Sequence, residues 1–283
     1  MQVLTADTSV VDGITSEPEN HPGVEWPAKK TVLGVQLSPT NYQEATDIII
    51  EAAQQRESAL VSCYAVHALM TFSGNDELRS IANDFDMITP DGQPVRWALN
   101  LLHGAKLRDR VYGPDLTLWL CEAAMTNDVP IYLYGGSPTV IERLVERLQT
   151  RYPSLNIAGY ESPPYRLLTD EEVTEVAGRI NQSGAGLVFI GLGCPKQDVF
   201  AHRIHNQLQA VQVCVGAAFD FHAGVKSSAP SWMQKLSLEW LYRLAMEPRR
   251  LWRRYLVTNS QYLFRLGLSL LNIPKVLRQR TKR

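Results

Sequence analysis

From Thr31 onward the chain alternates short apolar runs with longer stretches whose apolar residues recur at helical spacing. The pattern predicts a strand over Val32–Leu37, a helix over Tyr42–Gln55, a strand over Ala59–Cys63 and a helical stretch near Val66. A helix over Asp76–Asn83, a strand over Phe85–Ile88 and helices over Val95–His103 and Asp115–Thr126 follow, with Pro114 just inside the last helix start. The second half repeats the theme. Ile131–Tyr134 reads as a buried strand and Thr139–Arg151 as its helix, then come Leu155–Gly159, a helix over Asp170–Gln182, Leu187–Ile190, a helix from Pro195 to Asn206, and Val211–Val215. This is the signature of an α/β fold, an open, mostly parallel, Rossmann-like sheet with flanking helices. Eight complete strand and helix pairs cannot be counted, so a closed barrel is excluded.

Residues 1–29 show no periodicity and many polar residues and prolines, which predicts a disordered leader outside the fold. The core is expected over 30–248. Residues 249–283 hold ten Lys/Arg and no Asp/Glu, so the net charge of −1 divides into +10 there and −11 before it. In that tail Trp252, Tyr255, Tyr262 and Phe264 interleave with Arg249, Arg250, Arg253, Arg254 and Arg265, the make-up of an amphipathic helix on an anionic membrane surface. A nucleic-acid arm or a helix packed on the body are the competing readings of such a stretch. No apolar run of about 18 residues is present, and the N-terminus is acidic instead of basic then apolar, so neither a spanning helix nor a signal peptide is expected. Four dispersed cysteines, with no metal-ligand spacing, fit free thiols in a reducing cytosol.

Four places carry candidate chemistry. Asp91 follows a buried strand and precedes a helix, where ligands of open parallel sheets sit, so it is placed to act as a general base; an Asp-Gly turn or helix cap is the alternative. Arg108 and Arg110 precede a helix start and favour an anionic group such as a diphosphate, with a salt bridge to Asp109 or Asp115 as the alternative. Two strand-to-helix turns, Gly135-Gly136-Ser137-Pro138 and Gly191-Leu192-Gly193-Cys194-Pro195-Lys196-Gln197-Asp198, are candidate phosphate cradles or simply tight turns. Neither fits a dinucleotide fingerprint or a P-loop. Asp220, between Phe219 and Phe221, could accept from a sugar hydroxyl while the aromatics wall a base, or could cap a helix among core phenylalanines. His67 and His222 have no second ligand at useful spacing, so no metal site is expected.

Taken in order, these pieces resemble the WecG/TagA/CpsF glycosyltransferase family. The resemblance rests on Asp91-Gly92-x-Pro94, Arg110-Val111-x-Gly113-x-Asp115-Leu116, Tyr134-Gly135-Gly136, Gly191-Leu192-Gly193-x-Pro195-Lys196-Gln197-Asp198 and Gly216-Ala217-Ala218-Phe219-Asp220-Phe221-x-Ala223-Gly224. It continues through Ala229-Pro230-x-Trp232, Leu238-Glu239-Trp240-Leu241-Tyr242-Arg243-Leu244 and Glu247-Pro248-x-Arg250-Leu251, covering about residues 31–265. It implies an inverting transfer from a UDP-sugar to a polyprenyl-diphosphate-linked saccharide on the cytoplasmic membrane face, without a bound metal or other cofactor. The donor sugar would be N-acetylmannosamine, its uronate, glucuronate or similar, and the product a cell-surface polysaccharide.

By the same resemblance Asp91 is the base, Arg110 and Gln197 line the cleft, and Ser62 keeps the hydroxyl of a Thr-x-Asn pair whose amide is replaced by Tyr64. Gly135, Gly136, Ser137, Gly191, Gly193, Lys196 and Asp220 are the expected donor-binding residues. Ser227-Ser228-Ala229-Pro230 stands where the family often has Lys-Arg-Ala-Pro, and Val66-His67-Ala68-Leu69 is closer to exopolysaccharide members. Expected partners are the donor, the lipid-linked acceptor and an anionic membrane through 249–283, with no nucleic acid; homo-oligomerisation is left open. A catalytically silent nucleotide-sugar-binding scaffold and a Rossmann-type oxidoreductase are the competing functions, the second disfavoured by the missing glycine fingerprint.

Overall fold

The structure, a computed structural model, describes residues 23–227, 229, 230, 233 and 239–280. The predicted α/β architecture is present: a six-stranded sheet of order β4-β3-β8-β7-β5-β6, parallel in every pairing. Its strands are β3 (Ala59–Tyr64), β4 (Met87–Pro90), β5 (Ile131–Gly135), β6 (Ile157–Glu161), β7 (Leu187–Gly191) and β8 (Val211–Cys214). Side chains alternate between two faces, as strand geometry requires. Leu60, Tyr64, Val188, Ile190 and Cys214 belong to one core with helices α2 (Val66–Ser73), α4 (Gln93–His103), α7 (Asp170–Ser183) and α8 (Lys196–Ile204), beside the flanking α3 (Asp76–Asp84). Val61, Leu133, Phe189 and Val213 belong to the other, with α1 (Tyr42–Gln54), α5 (Gly113–Thr126), α6 (Pro138–Arg151) and α9 (Ala218–His222). Both faces are covered, which is why these strands read as continuous apolar runs.

Three expectations change. Val32–Leu37 is not one strand: β1 (Lys30–Val32) and β2 (Val35–Leu37) form an antiparallel hairpin apart from the main sheet. The reason is the turn, where Leu33 (φ 51°) and Gly34 (φ 88°) are both left-handed, the hairpin geometry that an apolar residue disguises. β4 begins at Met87 instead of Phe85, because Phe85 caps α3 and the Asp86 carboxylate accepts from the Leu60 amide at 2.7 Å. The strand expected over Leu155–Gly159 runs instead as β6 over Ile157–Glu161, because Leu155 is buried before it with its N–H on the Tyr152 carbonyl at 3.0 Å.

At the ends of the chain, residues 1–22 of the expected leader lie outside the described residues, as do Ser228, Trp232, Leu238 and 281–283 of the expected motifs and tail. Residues 23–29 run along the body: Val24 is buried and the Trp26 indole donates to Glu57. The tail is helical through α10 (Glu239–Met246), α11 (Pro248–Arg253), a π-helical turn at Arg254–Thr258 and α12 (Asn259–Arg280). Leu251, Tyr262 and Leu266 are buried, and the Tyr262 hydroxyl donates to the Pro94 carbonyl at 2.7 Å, tying α12 to the start of α4. No helix among the described residues is long and apolar enough to cross a membrane.

Candidate active site

The carboxyl ends of β3, β4 and β8 converge around Asp91. Its amide donates to the Tyr64 carbonyl at 3.2 Å, and the next stretch of chain returns to the same strand end, with Val111 N–H donating to the Pro90 carbonyl at 3.1 Å. Thr89 Oγ1 adds a bond to the Val111 carbonyl at 3.2 Å. These contacts bring the start of α5 over Asp91, whose Oδ2 accepts from Gly113 N–H at 2.9 Å. Asp91 therefore does not cap its own helix: the N-cap of α4 is Gly92, with no side-chain cap. It caps a different helix, where oriented backbone N–H groups favour negative charge. A Cβ at Gly113 would sit 3.4 Å from Asp91 Oδ2 and 3.5 Å from Cys63 Cβ, in contact with both but without overlap.

Arg110 stands beside this carboxylate. Its guanidinium lies over the Tyr112 ring, 4.4 Å from the centroid. A second arginine, Arg243 on α10, donates to the Tyr112 hydroxyl at 2.7 Å and lies 4.8 Å from the Phe221 ring centroid. Two guanidinium groups thus share one phenol next to the start of α5. Tyr42 braces the arrangement from α1, accepting from Tyr112 N–H at 3.0 Å and donating to Asp115 at 3.2 Å. Burial pushes the Tyr42 hydroxyl well above its ordinary pKa, so it stays protonated and keeps that donor role. Cys63, behind Asp91, is also held as the neutral thiol, pushed up to about 12 by burial and then by the Asp91 charge, which removes it as a nucleophile.

The other expected residues fall into separate groups. Ser62 points to the opposite face of β3 from Cys63 and is fully buried, donating to Asp198 Oδ1 at 2.7 Å. It is brought to Asp198 and not to Asp91. Burial pushes the Asp198 carboxyl up to about 6, against the hydrogen bond from Ser62. The Tyr64 hydroxyl lies near enough to favour the ionised form but off good hydrogen-bond geometry, so Asp198 Oδ2 has no well-formed partner. Tyr64 itself is a core residue, packed on Phe72 at 5.0 Å between ring centroids. Gln197 is buried between two turns: its Oε1 accepts from Gly193 N–H at 3.1 Å and stands 3.2 Å from where a Gly216 Cβ would be.

Packing accounts for three of the glycines. A Cβ on Gly135 would lie 2.6 Å from the Gly191 carbonyl carbon, and one on Gly191 would lie 2.5 Å from the Phe219 ring. Gly136 N–H already donates to the Gly191 carbonyl at 3.1 Å, and Ser137 caps α6 by accepting from Val140 N–H at 3.4 Å. Gly193 differs, with φ +80° and open space where its Cβ would be. Lys196 is exposed at the start of α8, its Nζ 4.4 Å from the centroid of the exposed Tyr165 ring. Asp220 is ion-paired with Lys226 at 2.6 Å. Phe219 is buried in the core and cannot wall a base, a correction that follows from the helical turn that sends Phe219 and Phe221 in different directions. His222 donates from Nε2 to the Pro114 carbonyl at 2.8 Å and burial holds it neutral.

Sequence reasoning passed over Tyr42, Tyr112, Asp198 and Arg243 as site residues. The last three stand inside or beside the motif strings, but only their contacts give them roles. Among the described residues no group of three or more His, Cys, Asp or Glu could hold a metal ion.

Comparison with known proteins supplies a family context. Residues 30–275 match the Glycosyl transferase WecG/TagA/CpsF family. A Bacillus spizizenii protein named N-acetylglucosaminyldiphosphoundecaprenol N-acetyl-beta-D-mannosaminyltransferase is 34% identical over 183 residues, 64% of this chain and 68% of that protein. A protein of the same name from Bacillus subtilis is 35% identical over 177 residues, 62% of this chain and 66% of that one.

Proposed function

Since the chain belongs to the WecG/TagA/CpsF glycosyltransferase family, we propose that it transfers a sugar from a UDP-sugar to a polyprenyl-diphosphate-linked saccharide, inverting the anomeric centre without a bound metal. The names of the two relatives support the lipid-linked acceptor, a diphosphoundecaprenol bearing N-acetylglucosamine, and make N-acetylmannosamine the first donor sugar to try. The observation that carries the reading is Asp91 fastened at the end of β4 by Gly113 N–H, beside the Arg110, Tyr112 and Arg243 cluster.

In a single displacement Asp91 takes the proton of the acceptor hydroxyl as its oxygen bonds to the anomeric carbon. The bond from that carbon to the UDP oxygen breaks, and UDP leaves with the electron pair. The leaving diphosphate develops charge that positive groups must meet. Arg110 and Arg243 are oriented before any ligand arrives, and arginine suits the bidentate geometry of phosphate oxygens. That donor set supports a metal-independent reaction: activity should survive EDTA, and loss restored by Mg²⁺ or Mn²⁺ would refute it.

The lipid acceptor requires the enzyme at a membrane surface, and the tail supports this with Arg249 and Arg265 beside the exposed apolar residues Trp252, Leu256, Leu263, Phe264 and Leu268. The inner face is proposed because UDP-sugars are cytoplasmic. The deciding experiment incubates purified protein with a panel of UDP-sugars and lipid-linked N-acetylglucosamine, identifying product by mass spectrometry. UDP binding without UDP release or product from any pair would leave a nucleotide-sugar-binding scaffold in place of an enzyme.

A further inference from the structure

A second basic feature borders the site just described, sharing Phe221 and His222 with its surroundings but none of its arginines. Helix α6 sets Glu146 at i+3 from Arg143 but otherwise repeats its charges in rows of one sign: Arg143, Arg147 and Arg151 stand at i, i+4 and i+8, and Glu142 and Glu146 at i and i+4. Like charges at that spacing work against a helix. Placing the glutamates four residues before the arginines would have turned the same residues into stabilising pairs. Among the described residues none of the three arginines is ion-paired. They line one side of a groove of about 590 Å³, bounded on the other side by Leu118 of α5, by Phe221 and His222 of α9 and by Gly224 just after it.

The groove is partly organised. Arg147 donates to the His222 carbonyl at 3.5 Å, and its guanidinium lies where a Gly224 Cβ would be, 2.5 Å away. The absence of a side chain at Gly224, whose φ is +69°, lets that guanidinium settle against the backbone. Glu146 is the lining carboxylate, so three arginines face one acid.

We propose that this groove is a binding site for a phosphate-bearing ligand, held by Arg143, Arg147 and Arg151 with Arg147 as its fixed point. Three forked donors along one helix can grip successive phosphate oxygens and relieve the repulsion among themselves. Recognition is of the phosphate group, supplied either by a soluble diphosphate or by a phospholipid headgroup. The inference does not rest on the glycosyl-transfer reading.

The test compares the full chain with two triple variants, Arg143→Gln/Arg147→Gln/Arg151→Gln and Arg143→Lys/Arg147→Lys/Arg151→Lys. Inorganic pyrophosphate is titrated calorimetrically with saturating UDP present, so that any nucleotide site is occupied. Flotation is measured on vesicles of phosphatidylglycerol and phosphatidylcholine. The Lys variant keeps the charge and loses the fork, which separates recognition from general attraction. Saturable pyrophosphate binding, weakened about tenfold or more by Gln and several-fold by Lys, assigns a soluble diphosphate, tenfold being what about 1.4 kcal/mol of lost hydrogen bonding gives. No pyrophosphate binding, but flotation weakened by Lys as well as Gln, assigns a headgroup. Equal behaviour of wild type and Lys variant in both assays, or no binding in either, overturns the proposal. Neither result bears on whether sugar is transferred.

Discussion

At Asp91 three strand ends and a helix start act on one residue, and the consequences can be measured. Its backbone is fixed by β3, its neighbour Pro90 by Val111, and its carboxylate by Gly113. Replacing Asp91 with Asn keeps an oxygen that can accept from Gly113 and removes only the proposed base. Turnover should fall by about two to four orders of magnitude, the usual weight of a general base, while UDP affinity and melting temperature stay near wild type. Wild-type turnover would leave Asp91 as a cap of α5 alone. Asp198 presents the opposite situation, a carboxyl whose pKa burial raises to about 6 from its ordinary 3.8. Between those two values the unfolded chain releases this proton while the folded chain retains it. The residue's contribution to stability therefore declines as pH rises across that window and is level above it, by about 3 kcal/mol at most. Asp198→Asn should match wild type in stability near pH 4, gain on it up to about pH 6 and hold that gain unchanged to pH 7. A difference in melting temperature that does not change with pH would refute the buried, unpaired state of this carboxyl.

At the scale of elements, the turns after β5 and β7 close on each other and on α9, and glycine is what permits the approach. Gly135→Ala would drive a Cβ into the Gly191 backbone at a φ of +131°, so both strain and overlap oppose it. A loss of about 2–4 kcal/mol is expected, read as a large fall in urea midpoint. Gly193→Ala meets open space and carries only the left-handed conformation, about 1 kcal/mol. If the two substitutions were equally mild, the close packing of these turns would be wrong. The same elements show how much could be read in the linear pattern. Helix α6 was legible from Ser137, Pro138 and the spacing of Val140, Ile141, Leu144 and Leu148, since its cap and its buried face are local features. The β1–β2 hairpin was not, because Leu33 at a left-handed position carries no sequence signal. Nor was the assignment of the two glycine turns, for Gly136 N–H is consumed by the Gly191 carbonyl of the other turn, fifty-five residues along the chain, and Gly193 N–H by the Gln197 side chain.

For the whole molecule, the tail packs on the body through one face and, in the proposed function, offers the other to a membrane. Buried Leu251, Tyr262 and Leu266 make removal of residues 249–283 a change to the core as well as to the charge. Each such side chain contributes about 1.5–3 kcal/mol, so truncation would confuse unfolding with loss of attachment. The exposed face is the better target. Leu263→Glu/Phe264→Glu changes side chains that are 64% and 69% exposed. It should greatly reduce flotation on anionic vesicles, with melting temperature within a degree or two of wild type. Raising salt should weaken wild-type flotation in the same assay, because the arginine attraction is screened. Unchanged flotation in the double variant would refute membrane attachment through α12.

What the sequence by itself determined is what depends on neighbours along the chain. The alternation of apolar runs and helical stretches specified an open parallel α/β sheet, the rule that ligands gather at strand ends singled out Asp91 and the glycine turns, and an arginine just before a helix start singled out Arg110. The run of ten basic residues without an acid marked the tail. Only the tertiary structure decided which candidates meet. It paired Asp91 with Gly113 of another helix, and it brought Arg243 some 130 residues along the chain to Tyr112. It turned Ser62 away to Asp198, because alternate residues of a strand must face opposite sides. Those pairings depend on strand order and on which face each helix covers, and both are set by packing of the whole chain, which no local pattern encodes.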